Sequence, residues 1–119
     1  MDRKAWIKKL GETIDAKDSD GFANYLTEDA IFRFGNQPEV QGRKAVRDYV
    51  AQFFTMIQSS EHEIINFWEN DNTIIWQGRV NYIRLDAKKV AIDFCNIFHM
   101  KDGLIGQYSI YIDNTPLFA

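Results

Sequence analysis

Residues 93–113 constrain this chain most tightly: Asp93-Phe-Cys-Asn-Ile-Phe-His-Met-Lys-Asp-Gly-Leu-Ile-Gly-Gln-Tyr-Ser-Ile-Tyr-Ile-Asp113. Two apolar, aromatic runs flank Lys101-Asp102-Gly103, and Asp-Gly between such runs is the strongest short-range signal for a β-hairpin. Both strands are apolar on both faces, apart from polar residues such as Asn96 and Gln107. Strands hidden on both sides belong to a sheet with helices on one face and another covering on the other. Polar residues inside such a sheet need partners or a ligand, so function is sought there.

The rest of the chain supplies the helices and the remaining strands. Trp6, Ile7, Leu10 and Ile14 recur at helical spacing, which predicts a helix over about 3–17 with Asp2 as N-cap. A short helix over 20–26 follows, burying Phe22, Tyr25 and Leu26. Glu28-Asp29 turn the chain into a strand at 30–34, which Gly35 and Pro38 end. Val46, Tyr49, Val50, Phe53, Phe54 and Ile57 make one apolar stripe, predicting a helix over 43–58. Strands are then expected at 63–69, 73–85, 89–100 and 104–113. The fold class is α+β, with about three helices on the concave face of one long, curved antiparallel sheet. A sheet curled around helices leaves a cone-shaped pocket.

At 119 residues the chain is one domain, spanning residues 1–119, long enough to bury roughly 65% of its unfolded surface. Nine Phe, five Tyr and three Trp are many for this length and suit a pocket wall. A net charge of −3 without a basic stripe argues against nucleic acid. No run approaches the ~18 apolar residues of a membrane span, and the N-terminus lacks a signal-peptide core. With a single cysteine, Cys95, these features set the expectation of a cytoplasmic protein.

Several segments together resemble a SnoaL-like domain, within the nuclear transport factor 2-like superfamily. They are Phe32-Arg33-Phe34-Gly35-Asn36, Gly42-Arg43-Lys44-Ala45-Val46, Phe94-Cys95-Asn96-Ile97-Phe98, Asp102-Gly103-Leu104-Ile105 and Tyr108-Ser109-Ile110-Tyr111-Ile112-Asp113 with Pro116-Leu117. The resemblance runs from about residue 3 to the C-terminus. It implies a cystatin-like, cone-shaped α+β fold and a family that includes polyketide cyclases, isomerases, hydrolases, dehydratases and non-enzymatic factors. It also implies a homodimer, since members of this family commonly pair through the outer sheet face.

The family's catalytic positions are only partly kept. The base of ketosteroid isomerases falls near Phe34, their oxyanion tyrosine near Leu10 and their protonated acid near Asn96. The tyrosine and asparagine with which limonene-type epoxide hydrolases hold water map near Phe32 and Phe34. The Asp-Arg-Asp set of those hydrolases maps near Asn81, Arg79 and Ile110. The acid of SnoaL-type cyclases also falls near Ile110. Asn96 and Arg79 are the polar survivors.

Strand parity gives the candidate pocket. If Asn96 faces inward, so do Phe94 and Phe98, whereas Cys95, Ile97 and His99 face out. The last strand contributes Tyr108, Ile110 and Ile112, and the preceding long strand Gln77, Arg79 and Asn81. Phe32, Phe34, Tyr49 and Phe53 complete the wall. An inward Arg79 demands an anion, either a carboxylate ligand or an internal acid; the alternative is a salt-bridged strand residue. Asn96 either contacts ligand or is a satisfied buried amide. Arg33 and Asp113 fall on the outward parity, and Asp113 is read as a cap at its strand end. Glu61-His62-Glu63 lacks metal-site geometry and reads as a solvated strand start. Cys95 reads as a small buried apolar residue.

The expected function is therefore binding of a small apolar or aromatic molecule, with acid–base chemistry on it or none. The alternative is a non-catalytic ligand-binding or interaction module. Neither a cofactor nor a metal is implied.

Overall fold

The computed structural model describes residues 2–119. Helix α1 (Arg3–Asp15) begins at Asp2, whose carboxylate accepts from the Lys4 and Ala5 amides at 3.0 and 3.3 Å. A short α2 (Ser19–Ala23) is capped by Asp18. Then follow β1 (Leu26–Phe34), β2 (Val40–Gln41), α3 (Arg43–Phe54), β3 (Ile57–Asn70), β4 (Thr73–Arg84), β5 (Lys89–Lys101), β6 (Leu104–Ile112) and α4 (Thr115–Phe118).

The strands form one six-stranded curved sheet in the order β2-β1-β6-β5-β4-β3. The β5–β6 hairpin turns at Asp102 and Gly103, with φ of 53° and 81°. Consecutive left-handed residues are what a tight hairpin turn requires, and Gly103 takes that conformation without steric cost.

The elements differ from expectation in several places: β2 and α4 are additional, α2 ends at Ala23 rather than 26, and β3 opens at Ile57 rather than 63. The sheet is antiparallel except that β1 pairs β6 in parallel, a pairing that the long connection through β2–β5 permits. Strand β1 starts at Leu26 rather than 30, with a register shift between Leu26 and Ile31 where Glu28-Asp29 read as a turn. Helix α3 ends at Phe54, and Ile57 opens β3 by pairing with Arg84. Ile57 extends the helical stripe by sequence spacing, yet it reaches the same core from a strand.

The inward rows of β4, β5 and β6, the apolar faces of α1, α2 and α3, and Leu117 of α4 share one core. Ile7, Leu10, Phe22, Val46, Val50 and Phe54 supply the helical side, against Ile74, Trp76, Val80, Phe98 and Tyr108. No helix is long and apolar enough to cross a membrane.

Candidate functional site

Residues paired across neighbouring strands share a face, so the register identifies the pocket wall. Asn96 lies opposite Trp76 on β4 and Ile110 on β6; Phe94 lies opposite Gly78 and Ile112; Val80 lies opposite His62 on β3. All line or adjoin a cavity of about 50 Å³, room for only a few waters. Gly78 leaves the gap that lets these rings close over one another. A Cβ there would lie 2.4 Å from the Glu63 carbonyl oxygen and 2.5 Å from the Phe94 ring.

Within this wall Asn96 is the one buried polar residue, 3% exposed. Its Oδ1 is fully buried and has no hydrogen-bond partner. A buried acceptor left unmade costs about 1–3 kcal/mol, so the cone carries a polar group poised for an O–H or N–H donor.

The second polar group is His62. Its Nδ1 lies 2.5 Å from Asp15 Oδ1, at the end of α1, with side chains 12% and 22% exposed. The same carboxylate accepts from the His62 amide at 2.8 Å and from Ser60 Oγ at 2.8 Å. Three bonds thus fix Asp15, and Asp15 fixes the ring. The imidazole also packs on Trp76 and Phe94, at 5.8 and 5.6 Å between centroids. A carboxylate on Nδ1 holds the hydrogen there, leaving the Nε2 lone pair for the cavity.

Two phenols complete the wall. Burial pushes the ionisation of Tyr82 and Tyr108 far up, with Asp15 adding to the effect at Tyr82 and Tyr82 adding to it at Tyr108. Both remain neutral O–H donors at any physiological pH.

Phe32, Phe34, Phe53, Phe94, Asn96, Tyr108 and Ile110 come together around this cavity. Tyr49 instead lines the outer cleft, 5.8 Å from the Phe32 ring. Phe98 is sealed in the core between Trp6 and Tyr108. Arg33 and His99 are exposed, as parity required. Asp113 holds the start of α4, accepting from the Thr115 amide and hydroxyl at 3.0 and 2.6 Å.

The row Gln77, Arg79 and Asn81 faces the opposite way from its expected direction. Arg79 Nε donates to Asp93 Oδ1 at 2.9 Å on the outer surface, with side chains 48% and 72% exposed. Asn81 Nδ2 donates to Glu63 Oε2 at 2.6 Å, and Gln77 is exposed opposite Cys95. The cause is register: Trp76 faces Asn96, so the even-numbered residues of β4 point inward. Alternation in the sequence carried this signal, since Ile74, Trp76, Val80 and Tyr82 are the apolar set and Gly78 interrupts it.

The sequence reads His62 as a solvated strand start, whereas in the structure it forms part of the pocket wall. The available signal was Ser60, His62 and Ile64 alternating with Glu61 and Glu63, but the partner Asp15 lies 47 residues away. Among the described residues no group of three or more His, Cys, Asp or Glu is placed to hold a metal ion.

Outside the cavity, and sharing Phe34, Phe53 and Ile112 with it, opens a cleft of about 570 Å³ between α3, the β1–β2 loop and α4. The larger hollow is therefore not the one that His62 and Asn96 line.

Solved structures share this architecture. An NTF2-like protein of unknown function from Burkholderia pseudomallei K96243 superposes with a TM-score of 0.85 at 14% identity, covering 95% of each chain. A hypothetical protein with a ketosteroid isomerase-like fold from Catenulispora acidiphila, solved with trimethylamine, gives 0.83 at 9% identity over 91% of this chain and 85% of that one. An LEH-like epoxide hydrolase of M. tuberculosis gives 0.78 at 15% identity over 94% and 83%. These likenesses establish the fold alone. No curated protein matches the chain in sequence. A family profile described as a SnoaL-like domain matches residues 7–108, and the chain belongs to that family.

Proposed function

We propose that this protein binds a small apolar or aromatic carbonyl compound with its carbonyl end in the cone. His62, oriented by Asp15, then removes a proton from the carbon next to the carbonyl. The observation that carries the reading is the Asp15–His62 pair set into the wall of an otherwise apolar cavity. The proton moves from that carbon to Nε2, and the electron pair of the broken bond passes to the carbonyl oxygen. The Asn96 Nδ2–H and the neutral phenols are the donors available to that oxygen, while the unpartnered Asn96 Oδ1 is left to accept from a substrate hydroxyl. Returning the proton to another position isomerises the substrate, and expelling a neighbouring hydroxyl dehydrates it.

The test uses 4-phenyl-2-butanone in D2O, with loss of its α-proton signals followed by NMR. Wild-type protein is expected to accelerate exchange, and His62→Gln to abolish most of that acceleration. Equal rates in the two folded proteins would overturn the reading. A non-catalytic binding module is the second reading, favoured by the small volume of the inner cavity. Probe binding without exchange would select it.

Two further elements of the reading rest on the outer face. Exposed Ile65, Trp68 and Tyr111, with Ile97 and Cys95 on the outward parity, support a homodimer through that face. Light scattering giving a monomer at micromolar concentration would remove it. The single free cysteine suits a reducing, cytoplasmic setting, which fractionation of the source cell would test.

A further inference from the structure

The inner cavity and the outer cleft share Phe34, Phe53 and Ile112, and their chemistry differs. The inner space is about 50 Å³, far below the roughly 300–1,000 Å³ of a whole small-molecule site. In this conformation it admits a carbonyl-sized head and no ring. The cleft, at about 570 Å³, is large enough for the remainder of a substrate. We propose that the ligand spans both chambers: a compact carbonyl end lies against Asn96 and His62, and an uncharged tail bearing a hydrogen-bond donor fills the outer cleft.

Charge excludes an anionic tail. Among the residues lining either chamber there is no lysine or arginine. The one formal charge in the cleft lining is Asp113, whose hydrogen bonds from the Thr115 hydroxyl and amide keep it readily ionised. A carboxylate or phosphate tail would face that charge with no cation to offset it. Neutral groups supply the rest of the polar lining: the amides of Asn36, Gln37, Gln52 and Asn114, the Tyr49 phenol and the Thr115 hydroxyl.

The need for a donor comes from unmet acceptors. Asn114 Oδ1 is buried and unpartnered at the cleft, as Asn96 Oδ1 is in the cavity. An amide or hydroxyl on the tail satisfies the first. Between the two ends the Phe34 and Phe53 rings, in edge-to-face contact at 4.9 Å, form the apolar partition that the ligand's aromatic or alkyl spacer must displace. The substrate class is thus an elongated, electroneutral ketone or aldehyde with a polar, uncharged far end. This assignment rests on the proposed base for its direction, since the carbonyl end is placed at His62.

Calorimetric titration with three probes tests it: 4-phenyl-2-butanone, 4-(3-oxobutyl)benzamide and 4-(3-oxobutyl)benzoate. The benzamide is expected to bind about tenfold tighter than the unsubstituted ketone and more than tenfold tighter than the benzoate. Asn114→Ala should bring the benzamide down to the level of the unsubstituted ketone. Asp113→Asn, which keeps an acceptor for Thr115, should narrow the benzoate penalty. Equal affinity for benzamide and benzoate, or a benzamide preference that survives Asn114→Ala, overturns the outer site. Hydrogen–deuterium exchange on the same probes separates the two proposals. Exchange without tail discrimination leaves the base standing and removes the outer site. Tail discrimination without exchange does the reverse.

Discussion

Two of the acid–base pairs on this sheet lie on its opposite faces. Asp15–His62 spans 2.5 Å between the end of α1 and β3, and Arg79–Asp93 spans 2.9 Å between β4 and β5. Their geometry is similar and their surroundings are not. The first is mostly buried, ringed by Trp76 and Phe94, and opens on a cavity. The second stands in solvent. Water screens the outer pair until it contributes little to either stability or chemistry. In the inner pair the apolar wall removes that screening, and one carboxylate holds one imidazole in one orientation. The position of a charged residue relative to the sheet, more than its presence, decides whether it can do chemistry.

The largest effect that would break this contrast is at His62. In His62→Gln, α-proton exchange of 4-phenyl-2-butanone should fall about 100-fold or more, the usual contribution of a general base. Asp15→Asn keeps the shape of the side chain and loses its charge; exchange should fall about tenfold, with binding of the probe little altered. If kcat and KM for exchange shifted equally, Asp15 would be a structural cap and not a positioning residue.

Asn96→Leu sharpens the contrast from the side of stability. Replacing an unpartnered buried amide by an apolar group of similar size removes a cost of about 1–3 kcal/mol. Denaturant unfolding should show a protein as stable as wild type or more so, while affinity for the ketone drops severalfold. A large loss of stability would mean that Asn96 is satisfied in the folded protein and serves the core. The smallest effect belongs to the outer pair: Arg79→Ala should leave exchange within about twofold of wild type. A tenfold loss there would return Arg79 to the site.

Much of the fold was legible because its signals are local. The Asp102-Gly103 turn, the alternation of β5 and β6 and the apolar stripes of α1 and α3 each depend on residues a few positions apart. Seven residues around the cavity were legible for the same reason: the parity of Phe94 and Asn96 on β5 fixes Tyr108 and Ile110 across the ladder. The direction of β4 is not legible from parity alone, because parity and resemblance together point Arg79 inward while the apolar row of Ile74, Trp76, Val80 and Tyr82 sets the true inward face. The parallel β1–β6 pairing joins strands from opposite ends of the chain, and no local pattern encodes it. His62 was missed for that reason too. Its meaning lies in a carboxylate 47 residues away, brought to it only when α1 packs along β3.

The chain has two histidines, His62 on the inner face and His99 exposed on the outer, which makes the central claim directly measurable. Nitrogen NMR of the ¹⁵N-histidine-labelled protein resolves the protonation of each ring nitrogen, and 4-phenyl-2-butanone is then titrated in. His62 should appear with its hydrogen on Nδ1 and a bare Nε2, and the Nε2 signal should move as the probe binds while His99 stays fixed. A hydrogen on His62 Nε2, or a probe response confined to His99, would contradict the assignment of His62 as the base of the cone.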